Sequence, residues 1–177
     1  MSILDFAAVP IDQRQLRDAF GRFATGVTVI TTRTPSGGAA GLTANSFSAV
    51  SLDPPLLMWS LRQTSALLPA FLQSAAFAVN VLALEQAELA RRFATPGRNK
   101  FDGIHYYSGL MGCPLITGCL AHFECRTENS FGCGDHRIFI GHIERSTHRD
   151  GEPLVFSTGA YCALSALPTS SSGDAEP

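Results

Sequence analysis

The segment "GLTANSFSAVSLDPP", Gly41 to Pro55, sets Thr43, Asn45, Ser46 and Ser48 among small apolar residues and ends in two prolines. Short side chains let a ligand approach the backbone, and amide and hydroxyl groups can donate to and accept from a flat heteroaromatic edge. A serine-rich turn closing a strand has the same composition, so the segment alone leaves both readings open. Three further places add chemistry: Thr64 and Ser65 at the expected start of a helix, Arg91, Arg92 and Phe93 with Lys100 and Phe101, and Gly134, Asp135 and His136 ahead of a long strand. Hydroxyls at a helix N-terminus suit a phosphate, because free backbone N–H groups and the helix dipole attract an anion. A nearby lysine adds charge.

Other chemistries find little support. Ser46, Ser48 and Ser51 lack a G-x-S-x-G elbow and the five histidines stand apart, so no nucleophilic triad is marked. Asp53 precedes two prolines, and Glu85 with Glu88 belong to an expected solvated helix face, which leaves no paired catalytic carboxylates. Cys113, Cys119, Cys125 and Cys133 are spaced by six, six and eight residues, without the C-x-x-C turn that seats two thiolates on one ion. With Cys162 they are expected as buried small hydrophobes in a reducing compartment, with no metal. No G-x-G-x-x-G follows a predicted strand, so a doubly wound nucleotide fold is not indicated.

The elements that must position these residues are mostly strands. "IDQRQLRDAFGRFATG" carries Leu16, Ala19, Phe20 and Phe23 at helical spacing, with Asp12 and Gln15 as a capping start and Gly26 as the stop. The β-branched run Val27–Arg33, the turn "TPSGG" and "AAGLTANSF" predict a hairpin. "LLMWSL" and "AFAVNVL" read as buried strands on either side of a short helix in "TSALLPAFLQS", and "LEQAELARRFA" reads as a helix ended by "TPGRNKFDG". Alternation at Ala121, Phe123 and Cys125, and again at Ile138, Ile140 and His142, predicts two long strands joined across "NSFGCGD". "GEPLVFSTGAYCAL" adds two short strands. Roughly seven strands with a few short helices that do not alternate with them point to a mainly β barrel.

At 177 residues the chain fits one domain, expected over residues 1–166 with a disordered tail at 167–177. Hydrophobic residues make up 45% and charged ones 16%, a sparsely charged surface that suits an oligomer. A net charge of -2 with scattered Lys and Arg argues against nucleic acid. "MSILDFAAVPIDQRQ" lacks a leader's basic and apolar regions, and no apolar run has membrane-spanning length, so a cytoplasmic location without membrane contact is expected.

Taken in order, "FATGVTVITT", "GLTANSFSAVSLDPPLL", "FAVNVL", "RRFA" with "KFDG", and "GDHRIFIGHIE" resemble the flavin reductase-like family, which includes the small reductase components of two-component flavin-dependent monooxygenases. The resemblance runs from Leu16 to Leu164 and implies a split β-barrel, homodimeric, with FMN or FAD near the subunit interface. It also implies NADH or NADPH as reductant and a partner monooxygenase as recipient of reduced flavin. On this sequence it places Thr43, Ala44, Asn45 and Ser46 along the isoalloxazine. Ser60, Thr64 and Ser65 would follow the ribityl chain and phosphate, with Lys100 and Phe101 closing that end. His136 matches the histidine of the family's G-D-H motif, which is associated with the nicotinamide. Where relatives have a serine-rich run, this chain has "RQTSAL", with Arg62 offering charge in compensation. A flavin- or haem-binding carrier or sensor, or a bound-flavin reductase of another small acceptor, would use the same barrel.

Overall fold

In a computed structural model, residues 11–97 and 99–167 are described. Helix α1 (Gln13–Gly21) starts at Asp12, whose carboxylate accepts the Arg14 N–H at 2.7 Å rather than forming a capping box with Gln15. The helix ends well before Gly26, because the Gly21 carbonyl accepts the Thr158 N–H and the chain turns into β1 (Thr25–Gly26). None of its residues is buried.

The β-branched run forms β2 (Thr28–Arg33), buried along its first five residues, and returns as β3 (Ala39–Ala44). The turn between them uses Gly37 at φ +82°, a conformation open to glycine at little cost. β4 (Ser48–Leu52) and β5 (Pro55–Arg62) form a second hairpin, with a cis peptide at Asp53-Pro54. The serine-rich sequence of β4 hides it, since as an edge strand it buries none of its residues. Helix α2 (Leu68–Gln73) leads to β6 (Ala76–Val81), and a single 3₁₀ turn leads to α3 (Ala87–Ala94). A small pair, β7 (Tyr106–Ser108) and β8 (Pro114–Ile116), precedes the long strands β9 (Ala121–Cys133) and β10 (His136–His148). Those strands extend further toward their joint than expected, leaving only Gly134 and Asp135 as the turn. β11 (Val155–Ser157) and β12 (Ala160–Cys162) pair beside β1.

Seven strands make one antiparallel sheet in the order β3-β2-β6-β9-β10-β5-β4. Its two edges, β3 and β4, are joined by only residues 45–47. So short a link forces the sheet to curl until its edges meet, giving a barrel that is split between β3 and β4. The polar segment singled out from sequence therefore sits across the split.

Trp59, Phe71, Phe77 and Phe139 fill the interior, with Trp59 stacked on Phe139 at a centroid distance of 4.7 Å. A second cluster joins Val27, Val29, Leu82 and Leu154 to Ala90 and Phe93 of α3. Cys113, Cys119 and Cys125 are buried as expected, and burial pushes their thiols up to about 11, 12 and 12 respectively. Cys133 and Cys162 depart from that expectation: Cys133 is exposed where β9 runs out beyond the barrel, and Cys162 is half-buried on a short strand. Among the described residues no helix is long and apolar enough to cross a membrane, and no cluster of potential metal ligands forms. The tail beyond Leu167 lies outside the described residues.

Candidate flavin and nicotinamide site

A cavity of about 670 Å³ opens beside the split. Nine of the ten residues expected from sequence to hold cofactors line it, all except Phe101. β3 and its exit supply Thr43, Ala44, Asn45 and Ser46, while β5 and the turn after it supply Ser60, Thr64 and Ser65. Lys100 comes from the loop after α3, and His136 from the first position of β10.

Two of the hydroxyls hold the wall in shape. Thr43 Oγ1 donates to the Ala90 carbonyl of α3 at 2.7 Å, pinning β3 to the helix. Ser46 Oγ accepts the Ser60 N–H at 2.9 Å and donates to the Ser60 carbonyl at 3.1 Å, which straps the split from β3's exit to β5. Asn45, between them, is exposed at the cavity.

Thr64 and Ser65 do not open a helix. α2 begins at Leu68 with Leu67 as its cap, while Ser65 Oγ accepts the Leu67 N–H at 3.3 Å. Pro69 gives the reason: in a helix capped by Thr64 it would lie past the first turn, where its missing N–H and its ring break the ladder. Starting at Leu68 puts the proline in the first turn, where it is tolerated. The two hydroxyls thus meet the cavity from a turn, without a helix dipole behind them.

Phe101 does not close the cavity. It packs edge-on against Phe93 at 5.0 Å and against Tyr106 at 5.3 Å, supporting the wall from behind. Gly41 makes room for this pair, since a Cβ there would stand 3.0 Å from Phe93 and 3.2 Å from Phe101.

Arg62 and Lys100 line the cavity, and among the described residues no carboxylate does. Lys100 Nζ donates to the Phe93 carbonyl at 2.8 Å, and burial lowers its pKa from the ordinary 10.5. An ammonium has three donors, so two are left without a partner among the described residues. Arg62 makes no ion pair among the described residues. His136 Nδ1 lies 2.7 Å from Asp135 Oδ1, and that hydrogen bond holds the Asp135 carboxyl below the usual range. Leu42, Leu61, Leu67 and Phe93 give the cavity apolar walls. Pro96 and Gly97, which read from sequence as plain loop, also face it. A planar heteroaromatic group with a polyol and an anionic tail fits this arrangement of apolar slot, hydroxyls and cations.

The sequence profile described as Flavin reductase like domain matches residues 20–165. The chain belongs to this family. Within it, the chain is 47% identical over 150 residues to the FMN reductase (NADH) SmoA of Agrobacterium fabrum, covering 85% of each protein. It is 43% identical to the reductase component of the flavin-dependent trigonelline monooxygenase of Acinetobacter baylyi, covering 84% of this chain but only 48% of that one. Among solved structures, the NADH:FAD oxidoreductase SgcE6 of Streptomyces globisporus superposes with a TM-score of 0.83 at 38% identity, covering 89% of this chain and 96% of the other. The mainly β fold is thus that of flavin reductase-like proteins.

Proposed function

We infer that this chain is an NAD(P)H:flavin oxidoreductase, with NADH as donor and FMN or FAD as acceptor, that supplies reduced flavin to a partner monooxygenase. The observation that carries this reading is the meeting of Arg62, Lys100 and His136 around one cavity, lined by no carboxylate among the described residues, in a chain of this family. The names of the relatives support NADH and both flavins. When bound, the flavin supplies a ring that accepts hydride from the nicotinamide.

The chain's own residues bind and orient. Asn45 and the backbone of residues 43–46 face the ring edge, held by the Ser46–Ser60 strap. The Ser60, Thr64 and Ser65 hydroxyls follow the polyol, and Lys100 with Arg62 hold the anionic end by charge-assisted hydrogen bonds. Asp135 occupies Nδ1 of His136, which leaves Nε2 to meet the nicotinamide amide or a phosphate. No protein nucleophile is needed.

The sheet register supports a homodimer. Arg62 pairs with His136, Ser60 with Ile138 and Met58 with Ile140, and Ile138 also faces Phe131 on β9. Paired residues of an antiparallel ladder share a face. The face that carries the cavity therefore continues into an apolar patch that the single chain leaves partly exposed, with Phe131 at 45%. A second copy seated there would cover the patch and wall the cavity. Residues 1–166 form the functional domain, and the cytoplasm suits the free thiols.

The test is NADH oxidation, without oxygen, in the presence of FMN, FAD or riboflavin. Flavin-dependent oxidation that saturates with added flavin is expected. A stably yellow protein inert toward NADH and NADPH would make this barrel a carrier.

A further inference from the structure

Gln63, the first residue after β5, does not line the cavity although its neighbours Arg62 and Thr64 do. It faces the β9–β10 turn. Its Nε2 donates to the Gly134 carbonyl at 2.8 Å and reaches the His136 carbonyl at 3.4 Å, and its backbone N–H donates to the Asp135 carbonyl at 2.9 Å. One residue therefore serves three consecutive carbonyls. Gly134, at φ +60°, adopts the left-handed conformation this tight turn requires. Three carbonyl dipoles turned toward one side repel one another unless a donor stands between them. Gln63 supplies that donor at a hairpin tip where Cys133, Gly134 and Asp135 are exposed and packing holds little in place.

We propose that Gln63 is a positioning residue: it fixes the turn that presents the Asp135–His136 pair at the cavity. Lying just past the Arg62–His136 pair that ends the β5–β10 ladder, it carries that link between the anion-binding wall and the hairpin on into the turn. Its kinetic consequence rests on the reading of His136 as the nicotinamide contact. Hydrogen bonds that fix the backbone beneath a functional side chain determine whether it is held closely enough to act.

Gln63→Leu keeps the size and removes the side-chain donor while the backbone N–H to Asp135 remains, and Gln63→Glu keeps the shape while placing an acceptor against carbonyls. In the flavin-free protein, backbone ¹⁵N order parameters at Asp135 and His136 should fall from a rigid value of about 0.85 to below about 0.6 in both variants. The NADH KM should rise about fivefold, with kcat and the FMN Kd within about twofold of wild type. In a His136→Ala background, Gln63→Leu should add less than about a twofold change, because a residue acting through His136 has nothing left to position. Unchanged order parameters would overturn the proposal, as would an equal KM increase in both backgrounds. If His136→Ala itself leaves KM unchanged, the nicotinamide reading fails, and the order parameters still decide whether Gln63 holds the turn.

Discussion

Thr43 and Ser46 commit their hydroxyls to the Ala90 and Ser60 backbone, whereas among the described residues Lys100 has two donors without a partner and Arg62 has no ion pair. The hydroxyl wall is built to hold its shape with or without a ligand. The two cations gain most when an anion arrives, since a partly buried ammonium is at a disadvantage until it is paired. Hydroxyl-rich sequence therefore marks scaffold in this site, and binding strength is concentrated in Arg62 and Lys100.

The largest break in that contrast is the double variant Arg62→Ala/Lys100→Ala. FMN affinity should fall by about 100-fold or more, at about 1.5–3 kcal/mol for each charged hydrogen bond, while riboflavin changes by less than about threefold. Equal losses for both ligands in equilibrium titrations would erase the distinction. Raising pH should reproduce part of the effect. Burial lowers the Lys100 pKa in the free protein, so the ammonium that FMN needs is lost as pH rises through a value below 10.5. FMN affinity should drop about tenfold there and riboflavin affinity should stay level; the same sign makes Lys100 a burden on folding at lower pH that is relieved toward 10.5.

His136→Ala removes neither a wall hydroxyl nor one of the two cations. It should raise the NADH KM about tenfold and leave the FMN Kd within about twofold, and unaltered NADH kinetics would remove His136 from the site. Asn45→Ala should weaken flavin by about threefold and shift its visible absorption, so a spectrum and Kd identical to wild type would exclude contact. The smallest effect on binding is expected from Ser46→Ala. Losing the strap should cost about 1 kcal/mol in urea unfolding, with the flavin Kd within about twofold. A large binding loss without destabilisation would show that Ser46 touches the ligand.

Strands with strong local signals were legible in the sequence: the β-branched run of β2, the apolar β5 and β6, and the alternation of β9 and β10. β4 was not, because an exposed edge strand made of serine, alanine and valine has no buried face to impose a pattern. Nor was the curl of the sheet, which follows from a three-residue link between opposite edges rather than from any residue type. In the site, composition marks the segments that line the cavity, but their assembly came from the resemblance. Thr64 and Ser65 were misread as a helix start because Pro69 selects a later one. Phe101 was placed at the ligand, although its packing partner is Phe93. Gln63 carries no signal in the sequence, since a side chain bonded to carbonyls some seventy positions away leaves no local trace.

The three buried thiols acquire a meaning once the chain is set to producing reduced flavin. Reduced flavin that meets air yields peroxide, and peroxide attacks thiolates. With their thiols pushed up to about 11, 12 and 12, Cys113, Cys119 and Cys125 hold almost no thiolate at neutral pH. The barrel's sulfur is therefore kept in its least oxidisable form beside its own source of oxidant, and peroxide damage should fall first on Cys133 and Cys162, at the margins of the fold.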